Sequence, residues 1–141
     1  MNRHLILGWY EDHAGECEIP GPRSNSKIIA WIREFFPRAT DDSTVAWCGI
    51  ARHQAAKFSE TPSPKYPFRA KSWLNVGEPI DLEDAMPGDT LIFKRDAGGH
   101  VGVFVRLHET QGFIVVLGGN QKNRIGESVY PIKNLLGIRR V

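Results

Sequence analysis

Cysteine and histidine are the residues of this chain best suited to covalent chemistry near neutral pH, and only some of them sit where such chemistry works. Cys17 lies between Glu16 and Glu18, and adjacent carboxylates disfavour a thiolate. Cys48 follows Val45-Ala46-Trp47 and precedes Gly49. That places it in or near the first turn of a helix expected to run to about Phe58, with Asp42, Ser43 or Thr44 as its cap. A helix N-terminus lowers a thiol pKa, and the thiolate is the nucleophile. Gly49 leaves room beside the sulfur. On position alone, a buried structural cysteine is an equal alternative.

His4 and His13 lie near the N-terminus, and His108 sits at an expected hairpin turn. His53 is five residues past Cys48 and rotated off its helical face. His100 differs, because it begins a strand after Gly98-Gly99, where Val101, Val103 and Val105 form the core face and His100 and Gly102 share the other. A general base needs a partner that orients its ring. If strands 100–107 and 113–120 pair through a loop at 109–111, Asn120 falls opposite His100. A bond from Asn120 to Nδ1 would then leave Nε2 for the sulfur. A two-residue loop would break that register, and local sequence reads Asn120 equally as a turn residue after Gly118-Gly119. Cys48, His100 and Asn120 together make a nucleophile, base and orienting group for acyl transfer.

Positioning them requires helices first and strands second. Ser24 or Asn25 can cap a helix carrying Ile28, Ile29, Trp31, Ile32, Phe35 and Phe36 at helical spacing, stopped by Pro37. The helix of Cys48 follows. Prolines 62, 64 and 67 enforce a loop, and the stretch from Ala70 to Gly77 reads as a short helix. Apolar runs after Pro87-Gly88-Asp89, after Gly98-Gly99 and after Gly112 read as strands, with two more near the C-terminus. The expected class is α+β, with N-terminal helices packed on one antiparallel sheet of four to six strands.

The 141 residues, 41% of them apolar, fit a single catalytic domain over 1–141. A net charge of +2 with no basic stripe argues against a nucleic-acid partner, and Arg139-Arg140 reads as a solvated tail. Two cysteines without a CxxC pair make a cysteine zinc site an unexpected feature; a Cys17–Cys48 disulfide stays open. No metal or cofactor is expected. No signal peptide or membrane-spanning run is visible, so the chain is expected to be made in the cytoplasm without integral membrane contact, and to act as a monomer.

The order and spacing of several short motifs resemble the NlpC-type and CHAP superfamily of cysteine, histidine-dependent amidohydrolases and peptidases, in particular its short phage-associated, endolysin-like branch. The motifs are Glu18-Ile19-Pro20-Gly21, Trp47-Cys48, Ala70-Lys71-Ser72-Trp73-Leu74, Pro87-Gly88-Asp89, Gly99-His100-Val101-Gly102 and Leu117-Gly118-Gly119-Asn120-Gln121. The resemblance implies a papain-like fold and cleavage of an amide bond in peptidoglycan. Cys48 would be the nucleophile, His100 the base and Asn120 the residue that orients it. Many CHAP relatives carry a glutamate two residues before that asparagine; here the position is Gly118. The implied partner is the peptidoglycan stem peptide of the periplasmic wall of a bacterial host, with Trp47 and Trp73 lining the substrate groove or packing in the core. Both the sugar–peptide amide and a peptide crosslink are open as the bond cut. A toxin amidase of the same fold and a non-catalytic wall-binding module are the alternatives.

Overall fold

The computed structural model describes residues 2–141. Three helices come first: α1 (Asn2–Asp12), α2 (Ser26–Arg33) and α3 (Cys48–Ser59). Asn25 caps α2, its side chain accepting the N–H groups of Lys27 and Ile28 at 2.9 and 3.2 Å, a contact that contributes about 1 kcal/mol in helices generally. Ile28 and Ile32, one turn apart, pack against Ile6 and Tyr10 of α1 and Ile50 and Ala55 of α3. The helix closes before Pro37, where the N–H groups of Phe35 and Phe36 bond to the Ile32 carbonyl.

α3 begins later than the expected caps. Trp47 occupies its N-cap position without a side-chain bond, and Asp42, Ser43 and Thr44 lie outside the helix. The Asp42 carboxylate is committed elsewhere, accepting the N–H groups of Ile19 at 2.9 Å and Asn25 at 2.7 Å. It thereby ties the Pro20-Gly21-Pro22 turn to the start of α2. Cys48 is consequently the first residue of α3. Residues Ala70–Asn75 form a 3-10 turn rather than an α-helix.

Six antiparallel strands follow: β1 (Glu78–Pro79), β2 (Thr90–Arg95), β3 (Gly98–Leu107), β4 (Phe113–Gln121), β5 (Arg124–Pro131) and β6 (Leu135–Arg140). Their order is β1-β6-β2-β3-β4-β5, an α+β arrangement. Each face of the sheet has its own core. Ile92 and Val101 pack with Cys48, Ala56 and Trp73, and Val103 and Leu117 join the helix cluster. Leu91, Phe93, Phe104, Ile114, Val116 and Ile138 form the other core. On that side the Tyr130 ring of β5 lies 5.0 Å from the Phe93 ring of β2. Two strands separate β5 from β2 in the sheet, so the sheet must curl to bring these rings together.

The C-terminal arginines are not a solvated tail. Arg140 grips the buried Asp89 with two bonds, Nε to Oδ1 at 2.8 Å and Nη2 to Oδ2 at 2.7 Å, and Arg139 Nε donates to the Leu74 carbonyl at 2.8 Å. This fork is the strong geometry for an arginine–carboxylate pair. It fastens β6 to the start of β2.

Candidate active site

Cys48 is buried, 6% exposed. The backbone N–H groups of Val101, Gly49 and Cys48 itself favour its thiolate, as does the charge of Arg95. Burial outweighs them and pushes the thiol pKa up, so the resting sulfur keeps its proton. A Cβ on Gly49 would stand 2.2 Å from the Pro67 carbonyl oxygen. The space beside the helix start is thus filled by the proline-rich loop, and only glycine lets the two backbones approach so closely. Gly119 serves the other side: a Cβ there would meet Ala51 at 2.7 Å and the Trp47 ring at 2.8 Å, so its absence seats the first turn of α3 on β4.

His100 is fully buried at the beginning of β3. Its Nε2 lies 2.8 Å from Oε1 of Gln121. The Gln121 amide nitrogen donates to the carbonyls of Val116, at 3.0 Å, and Gly126. With both amide hydrogens committed to carbonyls, the oxygen must face the imidazole. His100 therefore carries its proton on Nε2 and presents a lone pair at Nδ1, the reverse of the ring orientation expected from the sequence. Tyr130 stacks on the ring at 4.8 Å between centroids and 17° between planes. Burial lowers the His100 pKa to about 4; the Gln121 bond opposes that shift and Arg95 adds to it. Nη1 of Arg95 lies 3.5 Å from Nδ1.

Asn120 does not contact His100; Gln121 does. The register of Val103 with Leu117 and Phe104 with Val116 is the one that would have set Asn120 opposite His100. Beyond it the chain departs from regular alternation. Asn120 has φ of 57°, a left-handed conformation, and the β4–β5 register shifts between Gly118 and Gln121. Such a bulge redirects the next side chain, so Gln121 rather than Asn120 turns inward. Gly118-Gly119-Asn120, three residues tolerant of unusual backbone angles, was the sequence sign of it.

Trp47 and Trp73 are core residues, not a groove lining. Trp47 is fully buried and its indole N–H donates to Glu18 at 2.7 Å. Trp73 is 1% exposed, donates to the Pro67 carbonyl at 2.9 Å and lies under the guanidinium of Arg52. Arg52 is itself buried in α3, one turn after Cys48, and bonds to Oγ1 of Thr90 through Nε and Nη2 at 3.1 and 3.0 Å. It anchors α3 to β2.

Cys48 and His100 are not hydrogen-bonded to each other. The sulfur meets the backbone of Val101, the residue after His100, and packs on the Ile92 side of the sheet. His100 lies on the other side, paired across from Phe93. Arg95 at the end of β2 acts on both. Two hollows adjoin here. Gln121, Tyr130 and Glu127 line one and Glu18, Val45 and Ala46 the other, while Arg95, Asn120 and Lys122 line both. Together these adjoining hollows are the cleft beside Arg95, and neither Cys48 nor His100 lines it. The carboxylates of Asp81, Glu83 and Asp84, which cluster in an exposed turn, line neither.

The chain matches no model of a known protein family, and no curated protein matches it.

Proposed function

We propose that the chain is a peptidoglycan hydrolase of papain-like fold, endolysin-like, that cleaves a wall amide through Cys48 and His100. The observation that carries this reading is Cys48 as the first residue of α3, set against the strand whose first residues hold an imidazole locked in one tautomer by Gln121. Cys17 offers nothing similar: it is exposed and sits in an isolated bridge to Arg124 rather than at a helix start.

Because Sγ and the imidazole lie on opposite faces of β3, Nδ1, which Arg95 approaches at 3.5 Å, takes the thiol proton through a water at the strand end as Sγ bonds to the amide carbonyl carbon. Backbone N–H groups at the start of α3 stabilise the oxyanion. The C–N bond then breaks, Nδ1–H protonates the departing amine, and a thioester remains. Water, deprotonated by Nδ1, attacks the thioester; the acid leaves and the thiol is restored. With the His100 pKa near 4 and the thiol pKa raised, the resting pair is neutral, and proton transfer accompanies attack rather than preceding it.

Cys48→Ala should abolish release of soluble fragments from purified peptidoglycan while the protein stays folded, and Cys17→Ser should retain most of it. Mass spectrometry of the fragments would identify the amide that is cut. Fragment release by Cys48→Ala at the wild-type rate would refute the reading.

A further inference from the structure

Arg95 borders both hollows of the cleft, together with Asn120 and Lys122. Its side chain is exposed and makes one polar contact among the described residues, the 3.5 Å approach to Nδ1 of His100. It belongs to no ion pair among those residues, and neither does Lys122; the pairs present are Lys27–Glu16, Lys57–Glu34, Arg106–Glu127 and Arg140–Asp89. Asp96, its chain neighbour, sits in a left-handed turn conformation and does not pair with it. The carboxylates that do line the cleft face other groups. Glu18 accepts the Trp47 indole N–H, and Glu127 faces Arg106 at 3.9 Å. The cleft therefore holds two cations outside any ion pair among the described residues, and one of them, Arg95, lies 3.5 Å from the base. A guanidinium offers a planar fork matched to a carboxylate.

We propose that Arg95 is a specificity-determining residue that binds a carboxylate of the substrate flanking the scissile amide, with Lys122 as a second cation. The proposal rests on the hydrolase reading for its substrate, an acidic wall peptide, but not for its test. A carboxylate that draws the guanidinium fork toward itself also removes an N–H from Nδ1. The lone pair of His100 is then left for the thiol proton. Recognition of the anion and release of the base are one movement.

The experiment compares alkylation of Cys48 in the full chain by iodoacetate, an anion, and by iodoacetamide, its neutral counterpart, followed by mass spectrometry. Wild-type protein should show a Cys48 rate ratio, iodoacetate over iodoacetamide, at least about 3-fold higher than Arg95→Gln, the size expected for a partly exposed pair of charges. Cys17, in the same samples, should show one ratio in both proteins. If Arg95 acts only on the thiol pKa, Arg95→Gln slows both reagents equally and the ratio stays put, which overturns the proposal. Failure of either reagent to reach Cys48 overturns it as well, because a cleft closed to acetate cannot admit a substrate carboxylate. A second arm uses two wall peptides that differ only in carboxylate against carboxamide. Wild-type kcat/KM should favour the carboxylate and Arg95→Gln should lose that preference; an equal preference in the two proteins would count against Arg95. Should the chain cleave no wall peptide at all, the hydrolase reading fails and the alkylation ratio still decides the role of Arg95.

Discussion

Replacing Gln121 with methionine keeps the length and volume of the side chain and removes its amide. The site is 2% exposed, so water does not replace what is lost. The Nε2–H of His100 and the carbonyls of Val116 and Gly126 each lose a partner. An unsatisfied buried polar group costs about 1–3 kcal/mol. Taking the low end for each, because sheet carbonyls can recruit neighbouring donors, Gln121→Met should lose about 3 kcal/mol. For a chain of this size that is roughly a 10 °C fall in Tm. The imidazole also loses the bond that fixes its tautomer, so turnover on peptidoglycan should fall by about 10- to 1,000-fold, the usual range for an orienting group. The contrasting variant is Asn120→Gly. Its φ of 57° is one that glycine adopts freely, and no bond to His100 is lost. Thermal unfolding should be nearly unchanged and turnover should stay within about 3-fold. Scanning calorimetry and fragment release on both proteins test the pair. An inactive Asn120→Gly beside a stable, active Gln121→Met would show that Asn120 orients the base and that the bulge is misplaced.

Acid should destabilise the fold in a window that His100 helps to define. Its folded pKa of about 4 lies below the ordinary value near 6.5. The unfolded chain therefore binds the proton first as pH falls, and stability is lost between about pH 6.5 and 4 by up to ~3 kcal/mol. His53, also shifted down by burial, acts in the same direction. Urea midpoints measured across this range should flatten in His100→Gln, and an unchanged pH slope in that variant would contradict the burial of a neutral imidazole. Asp89→Ala removes the carboxylate that Arg140 and the Met86 N–H share. The buried Asp89 and part-exposed Arg140 make a loss of about 2–3 kcal/mol the expectation; chemical denaturation within 0.5 kcal/mol of wild type would show that β6 is held by its strand pairing alone.

Elements governed by local chemistry were legible in the sequence. The isoleucines of α2 recur at helical spacing and Asn25 caps them through a bond to its near neighbours. The valines of β3 alternate as a strand requires. What was not legible depended on distant partners. Asp42, Ser43 and Thr44 are all good helix caps, yet Asp42 is claimed by Ile19 and Asn25, and α3 starts at Cys48 without any of them. Arg139 and Arg140 read as a tail because Leu74 and Asp89, their partners, lie far away in the chain. α1 carries Leu5, Ile6, Leu7, Trp9 and Tyr10, of which Ile6, Trp9 and Tyr10 become core once α2 and α3 cover them. At the site, Cys48 and His100 stood out by residue type and context, whereas Gln121 was hidden by a shift of one residue. Trp47 and Trp73 were readable as either groove or core, and only burial decides between those.

The left-handed residues Asn120, Lys122 and Asn123 crowd the tip where β4 turns into β5, and Gln121 sits among them with its amide gripping the backbone of both strands. The tautomer of His100 is thereby tied to hairpin register. A nascent chain whose β4–β5 pairing has slipped by one residue presents the imidazole with a different side chain and leaves it free to spin. Such a chain can hold Cys48 in place and still lack a tuned base. On the hydrolase reading, competence would require the closing of that one turn.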